Sequence, residues 1–185
     1  MTTTTTAPAG TTTWKLDSDH AHVEFAVRHL MISKVKGQFT GVEGTLRMDA
    51  EDPTTARLDV EIAAASVDTR VEQRDEHLRS PDFLDTARFP SLTFKSRKVE
   101  RSGNERLRVT GDLTIRDVTR EVVLDVTERG RVTDPWGGER VGYEARAKID
   151  RKDFGLTWNQ ALEAGGVLVG DQVEITLEAE WVLQS

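Results

Sequence analysis

Val173-Glu174-Ile175-Thr176-Leu177-Glu178-Ala179-Glu180-Trp181, close to the C-terminus, alternates apolar and polar residues without a break in phase. Successive side chains of a β-strand point to opposite faces, so this stretch reads as a strand with one face in a core and the other in water. The same period recurs upstream. Leu58, Val60 and Ile62 alternate with Arg57, Asp59 and Glu61, and Leu107, Val109, Leu113 and Ile115 alternate with Arg106, Arg108, Asp112 and Thr114. Tyr143, Ala145, Ala147 and Ile149 alternate with Glu144, Arg146 and Lys148. Further strands are expected over 22–29, 37–49, 91–101 and 119–128, which makes about eight. Turn signals such as Ser102-Gly103-Asn104 and Pro135-Trp136-Gly137-Gly138 separate them. Clean alternation favours antiparallel sheet, because strands of buried parallel sheets read as continuous apolar runs. The expected fold class is all-β, an antiparallel β-barrel with one short helix.

That helix is signalled by Thr69-Arg70-Val71-Glu72, a capping-box pattern in which Thr69 would bond the Glu72 amide and Glu72 would reach back. It should stop at Ser80, since Pro81 disfavours helical geometry in the residue before it.

The 185 residues fit one domain, long enough to bury about 70% of its unfolded surface. No internal repeat or second-domain linker is seen. Residues 1–13 are mostly threonine with Ala, Pro and Gly. They have neither a basic start nor an apolar run, so they read as a disordered tail rather than a secretory signal, and a cytoplasmic location is expected. Residues 14–185 form the expected folded unit. No window approaches the roughly 18 apolar residues of a spanning helix, so stable membrane insertion is not expected. A net charge of -7 argues against nucleic acid as a partner. The absence of cysteine excludes disulfides, thiol catalysis and thiolate metal sites.

Candidate chemistry is sparse. Of the four histidines, His20 and His22 share a strand face with Glu24 and Arg28, a spacing that can suit a metal; yet no cluster elsewhere in the sequence completes a site, and none is expected. Alternation puts His29 on the apolar face with Val23, Phe25 and Val27, at the strand end where a barrel mouth would lie. No Gly-x-Ser-x-Gly elbow, His-Glu-x-x-His pair or phosphate-cradling glycine loop occurs. Arg74, Asp75 and His77 could form an acid–base set, against the more ordinary reading of a helix face docking on strands. The run Gly165-Gly166-Val167-Leu168-Val169-Gly170 precedes a strand and reads as a turn.

Several segments in consistent order resemble a known family. Asp17-x-x-His20, then Val23-x-Phe25-x-Val27-Arg28-His29, then Ile32-Ser33-x-Val35-x-Gly37-x-Phe39 resemble the opening of YceI-like proteins. So do Asp68-Thr69, Arg74-Asp75-x-His77-Leu78-x-Ser80-x-Asp82-Phe83 and Phe89-Pro90-x-Leu92-x-Phe94. Gly111-x-Leu113-Thr114-Ile115, Phe154-Gly155-Leu156-x-Trp158-Asn159 and Val169-Gly170-Asp171-x-Val173-x-Ile175 continue the likeness over residues 14–183. Ala21, Asp117 and Glu121 depart from it.

The resemblance implies a lipocalin-like barrel around a long apolar cavity that holds a polyisoprenoid, isoprenoid quinone, prenyl-diphosphate-type lipid or fatty-acid derivative, as carrier or sequestering protein. It implies no enzyme activity and no cofactor. Ligand-binding residues are expected at His29, Arg74, His77, Phe25, Phe83, Trp158 and Asn159, with His29 meeting the polar end of the ligand. The partner is then an isoprenoid or other long-chain lipid, and a homodimer is possible. Two alternatives stand beside this reading: an enzyme acting on a lipid-like substrate, or a filled barrel with a stress or interaction role.

Overall fold

The computed structural model describes residues 10–163 and 165–185. Ten strands and one α-helix follow one another as β1 (Thr11–His29), β2 (Ser33–Phe39), β3 (Val42–Asp49), β4 (Asp52–Ala63), β5 (Val67–Asp68), α1 (Glu72–Arg79), β6 (Ser91–Gly103), β7 (Arg106–Ile115), β8 (Val118–Thr133), β9 (Glu139–Asp150) and β10 (Val169–Leu183). Every pairing is antiparallel. The hydrogen-bonded order runs β10-β9-β8-β7-β6-β4-β3-β1, and β10 pairs back onto β1 to close the sheet. β2 and β3 lie along successive parts of the same edge of β1, one on Val23–His29 and the other on Thr11–Lys15. They act as one bent strand, so the closed wall is eight-stranded, and closure removes the free edges that would otherwise invite association.

The alternation read from the sequence becomes the inside and outside of this wall. In β7, Leu107, Val109, Leu113 and Ile115 are buried while Arg106 and Arg108 are exposed. One core cluster runs from Trp14 and Leu16 on β1 round to Ala179 and Trp181 on β10. In β1, however, the inward parity changes. Trp14 and Leu16 point in, and after an irregularity between Leu16 and Ala21 it is Ala21 and Val23 that point in. A bulge adds residues to one strand and so reverses which residues face the core. Residues 17–20, including His20, are therefore put on the outside.

Three expectations are corrected. The segment Thr11–Thr13, expected in the disordered tail of residues 1–13, pairs with Arg47–Asp49 in β3; residues 1–9 lie outside the described residues. The strand expected over 37–49 is interrupted at Thr40–Gly41, where the wall bends. The capping box of α1 does not form. The helix N-cap is Val71, with no side-chain cap. Thr69 instead donates through its amide (2.8 Å) and hydroxyl (2.6 Å) to Asp75 Oδ1. A buried carboxylate one turn into the helix thus takes the place of Glu72, whose side chain stays at the surface. The helix ends at Ser80, as Pro81 requires.

The two ends of the barrel differ. At one, α1, the β1–β2 turn and residues 151–163 and 165–168 gather over the strand ends. The other is closed by tight turns at 50–51 and 104–105 and by the bulky side chains of Trp14, Met48 and Trp181.

Candidate ligand-binding cavity

The inward side chains do not fill the barrel. A cavity of about 350 Å³ runs down its axis, within the range of about 300–1,000 Å³ usual for small-molecule sites. Its wall is hydrocarbon and aromatic: Val60, Phe94, Leu113, Val122, Ile149 and Ile175 are typical. A second, smaller space of about 60 Å³ lies toward the closed end between Met48, Leu107, Tyr143 and Trp181. Leu58, Leu124, Ala145 and Leu177 border both spaces and stand between them. The alternative of a filled barrel is thereby overturned.

Among the described residues, six polar or charged ones line the cavity, and all lie toward the α1 end: Arg28, His29, Thr69, Arg74, His77 and Arg151. Strand alternation carries His29 there, at the end of β1, where it pairs with Ser33 and Val169. Its ring is half-buried and makes no side-chain hydrogen bond among the described residues. The exposure of neighbouring Arg28 marks where the cavity meets solvent.

α1 delivers Arg74 and His77 to the same end. Arg74 Nε donates to Thr69 Oγ1 (2.7 Å) and Nη2 to the Thr69 carbonyl (2.8 Å). His77 Nε2 is 2.9 Å from Asp82 Oδ2. Its ring stands edge-on to Phe83 (centroids 5.0 Å apart) and to Trp158 (4.6 Å). Phe83 and Trp158 are themselves 5.4 Å apart, so the three rings form a roof joining α1 to the segment around Trp158. Asp75, Arg74 and His77 bond to Thr69, Thr69 and Asp82 rather than to one another. The geometry is that of a docked helix face, not an acid–base set.

The family model of the YceI-like domain matches residues 14–181. The chain belongs to the YceI-like family. Protein YceI of Salmonella newport is 39% identical over 182 residues, covering 97% of this chain and 92% of that protein. The crystal structure of the Campylobacter jejuni YceI protein is 33% identical and superposes with a TM-score of 0.74, covering 85% of this chain and 90% of that one. A protein of Saccharophagus degradans described as a polyisoprenoid binding domain shares the fold at 14% identity, with a TM-score of 0.67 over 92% of this chain and 98% of that one.

In this YceI-like chain, six of the seven residues expected to meet ligand line the cavity: His29, Arg74, His77, Phe25, Phe83 and Trp158. Phe25 packs on Phe39, with ring centroids 5.6 Å apart. Asn159 stands apart from the lining. Its Nδ2 donates to the Val169 carbonyl (2.7 Å) and its Oδ1 accepts from the Val169 amide (3.0 Å), so it splices the segment around Trp158 onto the start of β10.

Arg151 was not foreseen. It is buried, and its guanidinium donates to the carbonyls of Gly170 (2.8 Å), Leu156 (2.6 Å), Trp158 (2.9 Å) and Val169 (3.3 Å). Burial lowers its pKa, against the raising pull of Asp171 and Asp150. In sequence it sits among Asp150, Lys152 and Asp153, which reads as surface, so only the fold shows it to be the clamp of the roof. Thr69, whose spacing predicts a cap, instead joins Arg74 to Asp75.

The bulge of β1 gathers Asp17 and His20 near Glu180, with ligand atoms within 4.8 Å of one another. Arg140 already supplies the positive charge there, bonding Asp17 (2.6 Å), Asp134 (3.0 Å) and Glu180 (3.1 Å). Arg140 chiefly holds the Asp17 carboxyl below its usual value, and Asp17 in turn raises that of His20. His22 is not among these groups.

Proposed function

We propose that this YceI-like protein binds one elongated apolar lipid of the polyisoprenoid type inside the barrel, as a carrier or sequestering protein. The observation that carries the reading is a polarised cavity. The wall is hydrocarbon along its depth, and every charged lining residue stands at the α1 end. Burying a methylene contributes about 0.8 kcal/mol, so a prenyl chain gains affinity along the whole wall without any specific polar contact. Arg28, His29, Arg74 and His77 are placed to meet an oxygen-bearing or anionic end group, whether hydroxyl, quinone or phosphate. The polyisoprenoid binding domain of Saccharophagus degradans, which shares this fold, supports the choice of lipid class.

Organic extraction of the purified protein, followed by mass spectrometry of the extract, tests the reading directly. A prenyl lipid near one per chain is expected, or stoichiometric uptake of an added prenyl alcohol by an empty preparation. A protein that carries no lipid and takes up neither prenyl nor fatty-acyl ligands would rule it out.

A further inference from the structure

Beyond the cavity, the geometry points to the β1–β2 turn as the site at which this protein docks on the surface of an anionic lipid bilayer. Four of the eight large apolar residues exposed among the described residues stand together here: Leu30 (37% exposed), Met31 (58%), Ile32 (83%) and Val167 (37%). Isolated exposed apolar side chains are ordinary, whereas a cluster marks an interaction surface.

The cluster is held in shape. The Leu30 amide donates to the Leu168 carbonyl (2.9 Å) and the Ile32 amide to the His29 carbonyl (3.2 Å). Leu30 and Met31 both take left-handed backbone angles, with φ of 53° and 62°. Hairpin turns of that shape favour asparagine and glycine. Bulky apolar residues are costly there on conformational and solvation grounds together, and an apolar phase that receives them offsets the second cost.

Charge selects the partner. The chain carries a net -7, yet residues 25–42 hold Arg28, Lys34, Lys36 and no acidic residue. All three cations are exposed on the strands that lead into the turn. Of the acids nearby, Asp171 pairs with Lys152 (3.2 Å) and Glu174 with Lys34 (2.9 Å), while Glu163 is exposed in the adjoining turn, so Arg28 and Lys36 are the cations of the collar outside these pairs. An apolar tip above a basic collar is the arrangement that enters the interface of an anionic leaflet. Turn and cavity are continuous, since Arg28, His29, Leu168 and Val169 line the cavity end that adjoins the tip. Docking by this turn therefore faces the polar mouth toward the bilayer, where a lipid can pass without crossing water.

Co-flotation of the full chain with phosphatidylglycerol–phosphatidylcholine vesicles, and with phosphatidylcholine vesicles alone, tests the assignment. It needs no cavity ligand, so its failure is distinguishable from failure of the binding reading. Wild-type protein is expected to float with the anionic vesicles and much more weakly with the zwitterionic ones. Ile32→Asp should weaken anionic binding about tenfold and Lys36→Glu about fivefold or more, both with unchanged circular dichroism. Trp136→Asp, in the β8–β9 turn at the opposite end, should bind like wild type although Trp136 is 86% exposed. The assignment is overturned by equal binding to both vesicle types, by wild-type binding to neither, or by loss of binding in Trp136→Asp with Ile32→Asp unaffected. It is overturned equally if Ile32→Asp converts a dimer to a monomer in sedimentation while vesicle binding is absent, which would make the tip a contact between two copies.

Discussion

His77 meets Trp158 edge-on, with ring centroids 4.6 Å apart and planes at 87°. The contact joins the only α-helix among the described residues to the segment that leads into β10, and it closes the roof over the polar end of the cavity. Edge-to-face pairs of this kind contribute about 0.5–1.5 kcal/mol beyond the area they bury. Trp158→Ala is therefore expected to lower stability by about 1–2 kcal/mol in urea unfolding. It should speed release of a fluorescent prenyl probe in stopped flow, whereas Trp158→Phe should restore most of both. A Trp158→Ala protein that releases the probe at the wild-type rate would show that the ligand leaves by another route.

His29 is the lining imidazole with no protein hydrogen-bond partner among the described residues. A hydrogen bond to a charged group contributes about 1.5–3 kcal/mol, or roughly ten- to a hundredfold in affinity. His29→Ala should weaken a prenyl phosphate by that range and leave a hydrocarbon of equal length unchanged in titration calorimetry. Equal losses for both ligands would make His29 a packing residue.

Ala145 borders both spaces and is buried. A phenyl group there would block a chain from passing between the two spaces, at an overpacking cost of about 1–3 kcal/mol in stability. Ala145→Phe should spare short prenyl ligands and weaken those long enough to reach the space beside Trp181. If affinity falls alike at every chain length, the smaller space takes no part in binding.

Gly37 lies under Phe25, where an added Cβ would stand 2.4 Å from the ring's Cζ and 2.8 Å from Thr69 Cγ2. The Phe25 ring and the Thr69 junction cannot both stay in place. Gly37→Ala should cost about 1–3 kcal/mol, read as a lower urea midpoint with an unchanged m-value.

Tyr143 is the only tyrosine in the chain. Burial, with the Glu128 carboxylate adding to it, pushes its phenol up to about 12 from the ordinary 10.0. Between those two values the folded state keeps a proton that the unfolded state has lost, so stability falls as pH rises through this window. Phenolate absorbance should show a single midpoint near 12 in the folded protein and near 10.0 in denaturant. A folded-state midpoint near 10.0 would place the ring in water.

Alternation within a strand is a local property, because each side chain's face depends only on its parity. Leu107–Ile115 and Val173–Trp181 accordingly disclosed their inner faces, and with them the all-β class and the inward placement of His29, from sequence alone. Ser80 as the helix end is equally local, being imposed by the ring of Pro81. The β1 bulge is different: residues 17–20 leave the ladder because one strand must serve β10 on one side and both β2 and β3 on the other, and only closure sets that demand. The same holds for Thr69, whose spacing fits a cap, but whose hydroxyl finds the buried Asp75 carboxylate once α1 is docked. Arg151 looks like a surface charge among charges until the roof folds over it and offers four carbonyls. Whether inward side chains fill a barrel or leave it hollow is a matter of summed volumes against a closed circumference. No single strand carries that circumference in its sequence, so the cavity and the gathering of its polar groups at one end were decided by tertiary structure.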